Sequence, residues 1–154
     1  MAILSSEMKN DKPYVLISAC LMGCNTRYAG DGKLVENIEE LMEKYHLIPV
    51  CPEQLGGLPT PRQPAEQQLI DGKLHVVNKI GVDVTAQFEK GAREALHLAQ
   101  LYGCRLAILK ERSPSCGYGR IYDGTFSGML KEGYGITAKL LKDNGIEIIG
   151  ESHL

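Results

Sequence analysis

Four short runs in this chain, at residues 14–19, 46–50, 105–109 and 146–149, are largely apolar and show no sustained alternation with polar residues. A strand with one wet face alternates; a strand buried on both faces does not, and such strands belong to parallel sheets covered by helices on either side. Helical periodicity fills the gaps between them. Ile38, Leu41, Met42 and Tyr45 recur at helical spacing, as do Val84, Phe88, Ala92, Leu96 and Ala99. The latter stripe starts at Asp83 or Thr85, either a suitable N-cap, and is stopped by Gly103. A third helix over residues 136–142 is stopped by Asn144-Gly145. Two β-prone pieces at residues 68–70 and 74–77 flank Asp71-Gly72 and read as a hairpin.

This order predicts a single three-layer α/β domain with a mostly parallel, Rossmann-like sheet and a small hairpin insertion. With 154 residues, 44% of them hydrophobic and 23% charged, the chain holds material for one core. The polar start, residues 1–12, is expected to be a flexible arm, and residues 13–154 the domain.

Seventeen Lys and Arg against nineteen Asp and Glu give a formal charge of −2, which provides no attraction for duplex nucleic acid or an acidic membrane surface. No apolar run reaches the roughly 18 residues of a membrane span. Glu7, Lys9, Asn10, Asp11 and Lys12 occupy the place of a signal peptide's apolar segment, so the expected location is cytoplasmic. An odd count of five cysteines then argues for reduced thiols over disulfides.

In an open parallel sheet, ligands bind beyond the carboxyl ends of the strands. Three cysteines fall there: Cys20 after the first strand, Cys51 after the second and Cys116 after the third. A single cysteine is ordinarily a small buried hydrophobe. These three, however, are flanked by turn formers and polar residues, in Cys20-Leu21-Met22-Gly23, Cys51-Pro52-Glu53 and Ser115-Cys116-Gly117. Cys24 lies one turn beyond Cys20, whereas Cys104 precedes the third strand at the opposite edge and reads as structural. No CxxC knuckle suggests zinc. Three thiolates spread over three loops suit an iron-sulfur cluster with one iron open to an outside ligand.

The loops carry other chemistry. The stretch of residues 51–64 has four prolines and two glycines, which argue against regular structure there. Glu53 stands two residues from Cys51 and is a candidate proton shuttle. Ser113 and Ser115 flank Pro114 and are candidate hydrogen-bond donors; Arg27, Arg62, Lys110 and Arg112 are candidates to bind an anionic or carbonyl-bearing substrate. A second long loop is expected over residues 110–128, with four glycines. His46, His75, His97 and His153 form no metal-binding pattern.

The motifs Ser18-Ala19-Cys20-Leu21-Met22-Gly23, Arg27-Tyr28, Pro49-Val50-Cys51-Pro52-Glu53-Gln54-Leu55-Gly56-Gly57-Leu58-Pro59-Thr60-Pro61-Arg62, Leu109-Lys110-Glu111-Arg112-Ser113-Pro114-Ser115-Cys116-Gly117 and Ile121-Tyr122-Asp123-Gly124-Thr125-Phe126 resemble a bacterial family long classed as a domain of unknown function, which includes thiouracil desulfidase. The resemblance spans roughly Tyr14 to Glu151. It implies a 4Fe-4S cluster on Cys20, Cys51 and Cys116, and a non-redox enzyme that removes sulfur as sulfide from a thiolated small molecule such as thiouracil. It further implies proton handling by Glu53 and Ser113, with Ser115 as the alternative. Relatives often carry Arg-Tyr-Asp-Gly, preceded by a further cysteine; here Ala29 replaces the aspartate and Cys24 lies two places upstream. Two rival readings predict different behaviour. A cysteine-nucleophile enzyme using Cys116 would be active without metal, and a non-catalytic iron-sulfur or sulfide-binding module would release no sulfide.

Overall fold

The computed structural model describes residues 12–154; the expected arm at residues 1–12 lies, but for Lys12, outside the described residues. In chain order the elements are β1 Tyr14–Ser18, α1 Ile38–Lys44, β2 His46–Val50, α2 Pro52–Leu55, β3 Ala65–Ile70, β4 Lys73–Asn78, α3 Thr85–Leu101, β5 Leu106–Leu109, β6 Tyr118–Tyr122, β7 Leu130–Tyr134, α4 Ile136–Asp143 and β8 Glu147–Gly150. The central sheet has the order β2-β1-β5-β8 and is parallel throughout. Among the described residues, no helix is long and apolar enough to cross a membrane.

The unbroken apolar runs are explained by two cores, one on each face of this sheet. Leu16, Ala107, Leu109 and Ile148 pack toward α3 and α4 with Ala95, Ala99, Ala138 and Leu141. Val15, Ile17 and Ile108 pack toward α1 with Leu21 and Leu41. Alternate residues of one strand therefore serve opposite layers, which gives the three-layer architecture. Within α1 the expected stripe is thinner than its periodicity: Leu41 is buried, but Met42 is exposed, because α1 has only seven residues and covers one edge of the sheet.

The chain moves from β1 outward to β2, then returns to place β5 on the other side of β1. The loops after β1 and β5 therefore diverge, opening a crevice at the carboxyl ends of these two strands. Across it, Ser18 Oγ accepts the Lys110 backbone N–H at 2.9 Å.

The expected hairpin is present and longer than its apolar pieces. Ile70 pairs with Lys73, leaving a two-residue Asp71-Gly72 turn. Both turn residues have positive φ, 51° and 77°, as the tightest hairpin turn requires.

Three expectations need correction. Residues 52–55 are helical despite the surrounding prolines, because Pro52 is the first helical residue, where its fixed φ helps and its missing N–H is not needed. Residues 118–122 are a strand, not loop: β6 pairs antiparallel with β7, Tyr118 opposite Tyr134. Gly119 masked this strand in the sequence, whereas its tertiary partner and the burial of Ile121 to 1% exposure create it. At the start of α3, Thr85 is the first helical residue, and the Asp83 carboxylate accepts its N–H at 2.8 Å from just outside the helix.

Candidate active site

Beyond the carboxyl ends of β1, β2 and β5 lies a cavity of about 500 Å³, and Cys20, Cys51 and Cys116 all line it. Each thiol arrives from a different strand. Cys20 sits in a tight helical turn, Ala19–Met22, whose carbonyl at Cys20 accepts N–H groups from Gly23 and Lys33 at 3.1 and 2.8 Å. Cys51 directly follows β2, and its Sγ lies 3.7 Å from both the Thr26 carbonyl and Glu53 Oε1. Cys116 is held by its own N–H, which donates to Ser113 Oγ at 2.7 Å.

All three are free thiols. Burial pushes Cys20 up to about 11, partly opposed by the Lys110 ammonium. Burial also raises Cys51 and Cys116, and the Glu53 carboxylate adds to both. Three protonated thiols in one pocket, two buried and Cys51 half-buried, are poor nucleophiles but become thiolates once a cationic centre replaces their protons. Among the described residues, no three Cys, His, Asp or Glu side chains form a group suited to a single metal ion. Thiols set around a cavity from three loop ends fit a polynuclear iron-sulfur centre better than a lone zinc. Cys104 is buried in the core on the α3/α4 face and Cys24 is exposed, so neither joins this set.

Glu53 lines the same cavity, placed by the first turn of α2, and Arg62 Nη2 lies 3.7 Å from its Oε2. Arg62 Nη1 donates to Thr60 Oγ1 at 3.0 Å, and the Arg62 backbone N–H donates to the Tyr28 carbonyl at 2.8 Å, tying two loops together. Arg27 lines the cavity while paired to both Asp31 oxygens at 2.9 Å. Lys110 also lines it, its ammonium 2.6 Å from Glu151 Oε2.

The two serines separate clearly. Ser113 faces the cavity. Ser115 is buried behind it, exchanging a hydrogen bond with Thr137 at 2.9 Å. Arg112 is not brought to the site at all: its backbone is left-handed, with φ 74°, and its side chain lines a separate cleft beside β8 with Arg120 and His153.

Several lining residues were not among the sequence candidates, although Ser18 and Phe126 fall inside the motifs that carry the resemblance. Ser18 lies at the strand end and its hydroxyl lowers Cys116, opposing the effect of burial. Glu66 is buried although its side chain is a carboxyl group. The chain has two phenylalanines, and both Phe88 and Phe126 line the cavity, providing flat apolar wall against its polar floor. Phe88 is legible as a core residue of α3; that its ring also faces a cavity is a tertiary fact.

A model of the 2-thiouracil desulfurase family matches residues 15–153. The chain belongs to that family. The 2-thiouracil desulfurase match thus covers all of the sheet but Tyr14 and every residue of the cavity described above. A Bacillus subtilis (strain 168) protein, YbbK, itself uncharacterized, is 42% identical over 146 residues, covering 91% of this chain and 97% of its own length. The solved structure of a 4Fe-4S-dependent thiouracil desulfidase, TudS (DUF523Vcz), is 46% identical, superposes with a TM-score of 0.84, and the match covers 93% of each chain.

Proposed function

We propose that this member of the family is a non-redox, 4Fe-4S-dependent desulfidase that releases sulfide from thiolated nucleobases such as thiouracil and leaves the oxo compound. The observation that carries this reading is the convergence of Cys20, Cys51 and Cys116 on one cavity that also holds Glu53. The three cysteines would hold the cluster, which when bound would supply a Lewis-acidic iron for a soft thiocarbonyl sulfur.

The chain's own residues handle substrate and protons. Phe88 and Phe126 give a planar ring an apolar wall, and Arg27, Arg62 and Lys110 place positive charge around the pocket. Glu53, oriented by Arg62, takes a proton from the water that attacks the thiocarbonyl carbon. Ser113 Oγ accepts the Cys116 N–H, so its own hydroxyl proton is left to donate toward the departing sulfur. Water supplies the oxygen, sulfur leaves as hydrogen sulfide, and no electrons are gained or lost. No histidine lines the cavity, so the nucleophilic-cysteine alternative lacks the imidazole partner that ordinarily activates a lone thiol such as Cys116.

The test is anaerobic purification with iron and acid-labile sulfide analysis, followed by measurement of sulfide release from thiouracil. Glu53→Gln is expected to retain the cluster and lose roughly 10²- to 10⁴-fold in turnover, the usual worth of a positioned base. A cluster-loaded wild-type enzyme that releases no sulfide would leave the binding-module reading standing instead.

A further inference from the structure

Glu66 is the one buried carboxylate of the cavity wall that the mechanism above does not use. It lies on β3 opposite Val77, with 7% of its surface exposed. Its two oxygens have different environments. Oε1 accepts the backbone N–H groups of Gly124 and Phe126, at 2.9 and 3.1 Å. Gln68, next on the same face of the strand, donates its amide to the Gly124 carbonyl at 2.8 Å, so the hairpin clamps the loop after β6 at two points. Phe126, carried by that loop, has a left-handed backbone with φ 56°, a conformation that the Glu66 contact helps to hold. Oε2 receives no hydrogen bond from any protein group among the described residues, while the residue lines the cavity.

Although the residue is buried, Oε2 keeps contact with the cavity, so it presents a free acceptor to whatever fills that space. We propose that Glu66 Oε2 accepts a ring N–H of the substrate, making Glu66 a specificity-determining residue for thioamide rings that carry a hydrogen on nitrogen. The inference rests on the functional reading above and narrows its substrate class: a nitrogen donor in the ring is required, and Phe126, held by the other oxygen of the same carboxylate, supplies the wall beside it. Aromatic wall and hydrogen-bond acceptor are thereby fixed relative to each other by one side chain.

The test uses the cluster-loaded enzyme and two variants. Glu66→Gln keeps an oxygen for the Gly124 and Phe126 N–H groups but presents an amide donor where the substrate needs an acceptor. Glu66→Ala removes both functions. Sulfide release is measured for 2-thiouracil and its 1-methyl and 3-methyl derivatives, and calorimetry measures binding of uracil and 1,3-dimethyluracil. Wild-type enzyme is expected to favour 2-thiouracil over one of the methyl derivatives on the order of 10- to 100-fold in kcat/KM, the worth of a hydrogen bond to a charged group. Glu66→Gln should bring that ratio to within about 2-fold and weaken uracil binding by a similar 10- to 100-fold, with 1,3-dimethyluracil binding and cluster absorbance unchanged.

If Glu66 only clamps the loop, Glu66→Gln will discriminate and bind uracil like wild type while Glu66→Ala fails, and the proposal is overturned. Should wild-type enzyme release no sulfide from any thiolated base, the functional reading falls, and the uracil titration still decides the role of Glu66.

Discussion

Gly56 and Gly91 face each other where α2 packs on α3, with no room for a side chain on either. A Cβ at Gly56 would overlap the Gln87 carbonyl, and a Cβ at Gly91 would overlap the Pro52 carbonyl. Because α2 carries Glu53 and directly follows Cys51, this backbone contact on the far side of the helix sets the position of two site residues. Gly91→Ala is therefore expected to push α2 away from α3. The cost is about 1–3 kcal/mol in denaturant unfolding, as for other overpacked contacts. Iron content should fall with it, and a variant that unfolds like wild type and binds full iron would show the contact to be slack.

The cysteines should divide into two groups. Cys20→Ser, Cys51→Ser and Cys116→Ser each remove a thiol from the cavity and should abolish both iron binding and sulfide release. Cys24→Ser, at an exposed position, should change neither. Cys104→Ala, in the core, should keep the cluster and cost on the order of 1–2 kcal/mol of stability. Iron and acid-labile sulfide analysis of the five variants, alongside unfolding curves, checks the division.

Ser113 and Ser115 both touch Cys116, Ser113 Oγ accepting its N–H at 2.7 Å and Ser115 Oγ its thiol at 3.8 Å, but only Ser113 lines the cavity. Ser113→Ala removes a cavity hydroxyl and the partner of the Cys116 N–H, so turnover should drop at least 10-fold. Ser115→Ala strands the Thr137 hydroxyl in the interior and should cost about 1–3 kcal/mol while kcat stays within a few-fold of wild type. Paired kinetics and thermal unfolding separate the two; loss of turnover in Ser115→Ala at intact stability would reverse the assignment.

Asp83 gives a pH-dependent contribution remote from the thiols. The Thr85 hydroxyl and N–H, together with His75 at 2.6 Å, hold its carboxyl from the ordinary 3.8 down to about 2. A carboxyl depressed in the folded state binds its proton more readily when unfolded. Its stabilisation is thus complete above about pH 4 and is lost as pH falls toward 2. The stability difference between wild type and Asp83→Asn should shrink across that window in acid-titrated unfolding curves. A difference that stays constant from pH 5 to 2 would exclude the linkage.

Residue order alone was enough to read the sheet and the meeting of the thiols. Unbroken apolar runs are the mark of strands covered on both faces, and a parallel βα order carries the residue after each strand to one common edge; Cys20, Cys51 and Cys116 follow from that rule, and Cys104 is excluded by it. What the sequence left open depends on neighbours distant along the chain. The strand β6 exists because residues 130–134 pair with it, and α2 keeps its place because two glycines 35 positions apart let backbones touch. Arg112 and Ser115 sit in the same loop as Ser113, yet a left-handed backbone turns the first away and a hydrogen bond to Thr137 holds the second inside. Local pattern fixes which residues arrive at an edge; the direction each side chain takes there is set by packing and hydrogen bonds that only the folded chain brings together.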